Sequence, residues 1–248
     1  MRIYLILQDD PFYLYGDIDL ILNKYEVVGV TVLGQRLPAD SFYVMVRRYI
    51  NVFGLIGFFK LGVLFVYKKF ICSRDLKKKL ISCGIDCIDT DYVNRKDYVS
   101  KIQEYRPDLL VSIACPQKVG SGLLSVPKIG AINLHGGYLP DFPGVFTPFW
   151  NLYYGSAYGG CSVHWMNDSI DGGEIILRNK FEIKNTMTIM DVYKTISSIG
   201  VKLLASSIDL IQANKCMNIP NSGFAENYNT FPTKKEGKIF RKRGLRAI

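Results

Sequence analysis

Histidine is scarce in this 248-residue chain. His135 and His164 are the only two, so a zinc site would have to recruit both together with cysteines from distant segments. The six cysteines, at positions 72, 83, 87, 115, 161 and 216, lack the close paired spacing of a zinc site or a disulfide framework. No metal is therefore expected, and the thiols read as reduced, cytoplasmic ones. Internal repeats and low-complexity linkers are absent too. Gly120-Ser121-Gly122 lacks the third glycine and the acidic partner of a dinucleotide-binding fingerprint, which leaves it as a helix-start turn. Nor is there a run of about 20 continuous apolar residues, the length a membrane span needs. Residues 51–67 come nearest, but Lys60 interrupts them and Arg47, Arg48, Lys68 and Lys69 flank them. A buried or groove-lining helix is expected there, with contact at a membrane surface as the alternative. The first ten residues are too short and wrongly flanked, by Asp9 and Asp10, for a signal peptide. They read as an opening strand.

What is present points to a folded α/β protein. The composition is 48% hydrophobic, ample for a core at this length. Residues 2–7, 25–32, 109–114 and 129–134 are short, β-rich apolar runs of the kind buried on both faces of a sheet. Helical stretches near residues 18–22, 74–82 and 96–105 lie between them. This alternation predicts a doubly wound, mostly parallel sheet with helices on both faces. Beyond it come a Gly/Pro-rich loop, a short helix at 148–154, strands at 161–166 and 174–183, and a long helix at about 188–213. The expected division is a domain over 1–215 and a basic extension over 216–248. Seven bases and Glu236 crowd the last fifteen residues and account for six of the nine net positive charges. The extension, and not the body, carries the basic signal, and it reads as a solvated terminus.

The chemistry-bearing stretch begins at Asn133-x-His135. Two residues apart at the end of an extended strand, these side chains project toward one face, where open parallel sheets collect ligands. Leu139-Pro140, Pro143-Gly144, Ser162-Val163-His164 and Asp171-Gly172-Gly173 follow. Taken singly, each is also what an ordinary turn or strand contains. His164, in an alternating strand, reads as a structural histidine behind the site.

In that order and spacing, clearest over residues 111–183, the set resembles the catalytic domain of the 10-formyltetrahydrofolate-dependent formyltransferases. These include the glycinamide ribonucleotide, methionyl-tRNA and small nucleotide-sugar enzymes. The resemblance implies that Asn133, His135 and Asp171 are catalytic. Formyl transfer builds negative charge on an oxygen, which the Asn133 amide and His135 would meet with donors, while Asp171 would orient and polarise His135. It further implies a folate site read largely by backbone groups of two loops, with Pro116, Gln117 and Val119 in one and Met166, Asp168 and Ile170 in the other.

The acceptor is narrowed by what surrounds these motifs. Asp9 and Asp10 follow the first strand, where glycinamide ribonucleotide enzymes carry a Gly-rich phosphate turn, and two acids repel phosphate. About 30 residues follow the long closing helix, too few for the C-terminal barrel of the methionyl-tRNA enzymes. The expected acceptor is therefore a primary amine on an amino-deoxy sugar carried by a nucleoside diphosphate. Nucleic acid is not expected as a partner. A methionyl-tRNA-type enzyme without the barrel and a membrane-surface amino-sugar enzyme are the alternatives. A homodimer through the apolar segment is also compatible with the sequence.

Overall fold

The computed structural model describes residues 1–12, 14–34, 41–222 and 228–248. The chain opens with β1 (Arg2–Gln8), the short helices α1 (Leu14–Asp17) and α2 (Asp19–Lys24), and β2 (Glu26–Leu33). Helix α3 (Phe42–Val66) continues into a π-helical turn at Tyr67–Ile71, followed by α4 (Leu76–Ser82), α5 (Lys96–Glu104) and β3 (Leu109–Ile113). Then come α6 (Ser121–Leu124), β4 (Gly130–His135), α7 (Thr147–Tyr154), β5 (Tyr158–Trp165) and β6 (Ile175–Glu182). Helices α8 (Ile189–Gln212) and α9 (Lys234–Lys242) close the chain.

The strands form one sheet in the order β2-β1-β3-β4-β5-β6. The first four strands run parallel, and β5 and β6 are added antiparallel. Odd-numbered residues of β1 and β3, such as Leu5 and Val111, enter one core with α2, α7 and α8. Even-numbered ones, such as Tyr4 and Leu110, enter a second core with α5 and α6. Because both faces are covered, the strands are continuously apolar, and the doubly wound α/β reading holds. Strand order reverses between β1 and β3, so the crevice beyond their carboxyl ends is where such a sheet accommodates a ligand.

Two sequence expectations are corrected. Residues 51–67 are helical, but the helix is not buried. A kink at Gly54 (φ 72°) divides α3; Val52 and Phe53 before it enter the core, whereas Leu55, Ile56 and Phe59 beyond it face solvent. The physical cause is that a surface helix buries one side only, and both sides of this one are apolar. The extension, for its part, is not a solvated terminus. Thr233 and Glu236 form a reciprocal cap on α9, and Phe240, 1% exposed, inserts into the main core. It stacks on Phe149 at 4.7 Å between ring centroids. Arg241 donates to the carbonyls of Asn51 and Val52, and Ile189 N–H donates to Arg246 O at 3.0 Å.

Candidate active site

Strand register assembles the site. Asn133 of β4 is paired with Ser112 of β3 on one side and His164 of β5 on the other, and His135 is paired with Ser162. Paired residues project to the same face, so Asn133, His135 and His164 share one. Asp171 reaches that face from the β5–β6 connection, where the chain doubles back so closely that a Cβ on Gly173 would lie 1.8 Å from Trp165 O. Only glycine fits there, which is the physical content of the Asp-Gly-Gly sequence. Asp171 itself adopts a left-handed conformation (φ 54°).

The four polar side chains form one cluster. Asn133 Nδ2 lies 3.2 Å from His164 Nε2, and His164 Nδ1 lies 2.8 Å from Trp165 O. A carbonyl can only accept, so Nδ1 carries the proton and Nε2 presents a lone pair; the Asn133 amide therefore donates to His164. Burial pushes the His164 pKa down to about 4, helped by repulsion from His135 and opposed by Asp171 and the Trp165 carbonyl. His164 is consequently neutral at physiological pH, and the amide orientation of Asn133 is set by it. One Asn133 N–H is thus used and the other remains to be directed elsewhere.

His135 donates from Nε2 to Phe142 O at 2.7 Å and turns Nδ1 to Asp171 Oδ1 at 3.5 Å. The same carboxylate oxygen is 3.7 Å from His164 Nε2. Its other oxygen accepts from Gly144 N–H at 2.8 Å. His135, His164 and Asp171 are all buried, while Asn133 is half-buried and forms the accessible member.

Residues with no signal in the sequence hold this cluster together. Asn221 donates from Nδ2 to Asp171 O at 2.7 Å and to Gly173 O at 3.0 Å, clamping the turn. Asn229 N–H donates to Pro143 O, and its carbonyl accepts from Val145 N–H. Gly144, at φ 101°, passes so near that a Cβ would meet Asn229 O at 2.1 Å. Phe231 stacks on Phe146 with rings 3° from parallel at 5.2 Å. All three braces lie in the extension, 48 to 86 residues from their partners, which no local spacing reveals.

The residues expected to hold a pterin are arranged as follows. Gln117 is committed to the 91–93 loop, accepting from Val93 N–H and donating to Asp91 O, each at 2.9 Å. Val119 is buried in the second core, and Met166 and Cys115 pack against that same core, so both loops border it. Asp168 and Ile170 are exposed, and Pro116 is half-buried. Among the described residues no hydrogen bond engages the N–H of Val119, Asp168 or Ile170, a donor set suited to recognition by backbone. Near the end of β1, Asp9 is ion-paired with Lys69, and Asp10 accepts from Phe12 N–H and Leu14 N–H. Of the aromatics flanking the motifs, Phe149 and Trp150 are core, and Tyr138 lies under the Arg178 guanidinium at 4.6 Å.

A buried His-Asp-His group with the half-buried Asn133 thus lies at the carboxyl end of β4, where a parallel sheet accommodates a ligand. The family model described as formyl transferase matches residues 69–208, and the chain belongs to the formyl transferase family. The methionyl-tRNA formyltransferase of Methylacidiphilum infernorum is 27% identical over 161 residues, 65% of this chain and 50% of that protein. The chain thus spans about half the length of the curated relatives it matches. Among solved structures, WlaRD, a sugar 3N-formyl transferase determined with dTDP and 5-N-formyl-THF, superposes with a TM-score of 0.62 at 17% identity, covering 93% of this chain and 70% of that one. The N-formyltransferase of Helicobacter canadensis, in complex with folinic acid and dTDP-3-aminofucose, superposes with a TM-score of 0.60 at 18% identity, covering 93% and 71%. At these identities the likeness is one of fold.

Proposed function

We propose that the chain transfers a formyl group from 10-formyltetrahydrofolate to the primary amine of an amino-deoxy sugar carried on a nucleoside diphosphate. The observation that carries the reading is the cluster in which Asn133 is hydrogen-bonded to His164 and Asp171 Oδ1 lies within ion-pair distance of both His135 and His164, in a family member. The sugar acceptor is supported by the two solved relatives, whose structures contain dTDP or a dTDP-amino sugar beside a formyl-folate.

When bound, the donor supplies the formyl carbonyl that the amine attacks. Its pterin would lie between the loop of Pro116, Gln117 and Val119 and that of Met166, Asp168 and Ile170, met by backbone N–H groups. The Asn133 amide, one N–H fixed on His164, offers its second N–H to the formyl oxygen as that oxygen becomes negative; such a donor contributes about 2.7–4 kcal/mol to the transition state. As the N–C bond forms and the formyl carbon leaves the folate nitrogen, one proton must pass from amine to leaving nitrogen. Asp171 and His135 can hold it between them, a role worth about 10²- to 10⁴-fold. His135 can join Asn133 at the formyl oxygen only by exchanging its bond to Phe142 O for that oxygen.

The test is a panel of nucleotide-linked amino sugars, with methionyl-tRNA included, incubated with 10-formyltetrahydrofolate and read by mass for an added formyl unit. Formylation of an amino-sugar nucleotide that is lost in Asn133→Ala and Asp171→Asn supports the reading. Formylation of methionyl-tRNA alone, or near-normal turnover in both Asn133→Ala and His135→Ala, overturns it.

A further inference from the structure

Beyond the Gly54 kink the outward side of α3 is apolar. Leu55, Phe59, Val63, Val66 and Phe70 recur at spacings of four, four, three and four, and all are at least half exposed, as is Ile56. That spacing makes a single stripe along a helix. From Leu55 to Phe70 it runs roughly 22 Å at a rise of 1.5 Å per residue. The opposite side is pinned to the body along the same length: Leu61 packs against the core, Phe65 meets Phe12 at 6.1 Å, and Lys69 pairs with Asp9. By length and composition this region passes for a membrane-crossing helix. Anchored along its inner side, however, it can present only one face, and it lies parallel to whatever it meets.

The surrounding charge selects the occupant. From residue 41 to residue 74 the sequence has six bases and no acid, and of these Lys69 is turned inward and neutralised by Asp9. Helix α9 docks on the segment just before the kink, through Phe240 and the bonds of Arg241 to Asn51 and Val52. It leaves Lys234, Lys235, Lys238 and Lys242 exposed. An apolar stripe bordered by cations matches hydrocarbon bordered by phosphate. Two copies apposed through this face would instead confront like charges.

We infer that the α3 stripe is a peripheral docking surface for anionic lipid bilayers, with Phe59 and its neighbours entering the interface and the α9 lysines meeting headgroup phosphates. The experiment uses the full chain with phosphatidylcholine vesicles, with or without phosphatidylglycerol, in a flotation assay. Circular dichroism melting of each variant checks the fold. Wild type is expected to float with the anionic vesicles and far less with neutral ones. Phe59→Glu/Val63→Glu should abolish flotation without altering the melt or turnover of a soluble acceptor. Lys238→Gln/Lys242→Gln should weaken binding by on the order of 25-fold, about fivefold per cation. In a Phe59→Trp protein, emission should shift to the blue on vesicle addition. Wild type that stays with the unbound fraction at low salt, or flotation indifferent to Phe59→Glu/Val63→Glu, overturns the inference. So does a dimer that this double variant splits while no form of the protein binds vesicles, which would assign the face to a second copy.

Discussion

Replacing His164 tests whether the site works as a linked cluster and not as three independent side chains. His164 is neutral, donates from Nδ1 to Trp165 O at 2.8 Å and accepts from Asn133 at 3.2 Å. His164→Ala removes the acceptor and leaves the amide of Asn133 to seek another. A buried N–H left unpaired costs about 1–3 kcal/mol, and an amide turned from its place forfeits most of the roughly 2.7–4 kcal/mol a positioned donor supplies. At about 1.4 kcal/mol per tenfold, kcat should fall by about 10²-fold with the KM for both substrates little changed. Two further variants separate the two bonds of the ring. His164→Gln can place an oxygen where Nε2 stood and keep Asn133 engaged, so it should retain kcat within about tenfold of wild type. His164→Asn keeps only the donor toward Trp165 O and should resemble His164→Ala. Steady-state formyl transfer, paired with thermal melts, measures this. Folded Gln and Asn variants with the same kcat, or a His164→Ala protein turning over normally, would refute the positioning argument.

The remaining predictions concern the frame of the site and the core. Asn221→Ala removes both bonds that clamp the Asp171 turn, and should lower stability by about 1–3 kcal/mol and depress kcat more than KM; a proton inventory or kcat comparison showing no change would mean the clamp is dispensable. Phe240→Ala empties a fully packed core position and should cost about 3–5 kcal/mol in chemical denaturation, whereas a solvated terminus would lose almost nothing. The folded His164 value, about 4, lies below the ordinary imidazole value of 6.5, so the unfolded chain takes up that proton first. Its contribution is intact above about pH 6.5 and is lost as pH falls toward 4. Denaturation of wild type and His164→Gln between pH 7 and pH 4 should show the difference shrinking in wild type's disfavour; parallel curves would place the acid sensitivity elsewhere.

Strands were legible because their residues are apolar on both faces, a pattern that survives any detail of packing. The motif residues were legible because Asn133 and His135 share a strand face whatever that strand pairs with. His164 was visible as a residue but not as a partner: it accepts from Asn133, 31 residues away, only once β4 and β5 pair in register.

What the amino-acid order determined alone is therefore local: the alternation of strand and helix, the two-residue spacing at the end of β4, and the glycines that let the Asp171 turn and the Pro143-Gly144 loop approach other backbone. Tertiary structure decided everything that depends on distant groups meeting. It set the braces from Asn221, Asn229 and Phe231, the docking of α9, and which side of α3 faces outward. A helix apolar on both sides carries no periodic mark of its buried face, and a hydrogen bond spanning 50 residues leaves no local trace. Only the folded chain brings such partners within reach of one another.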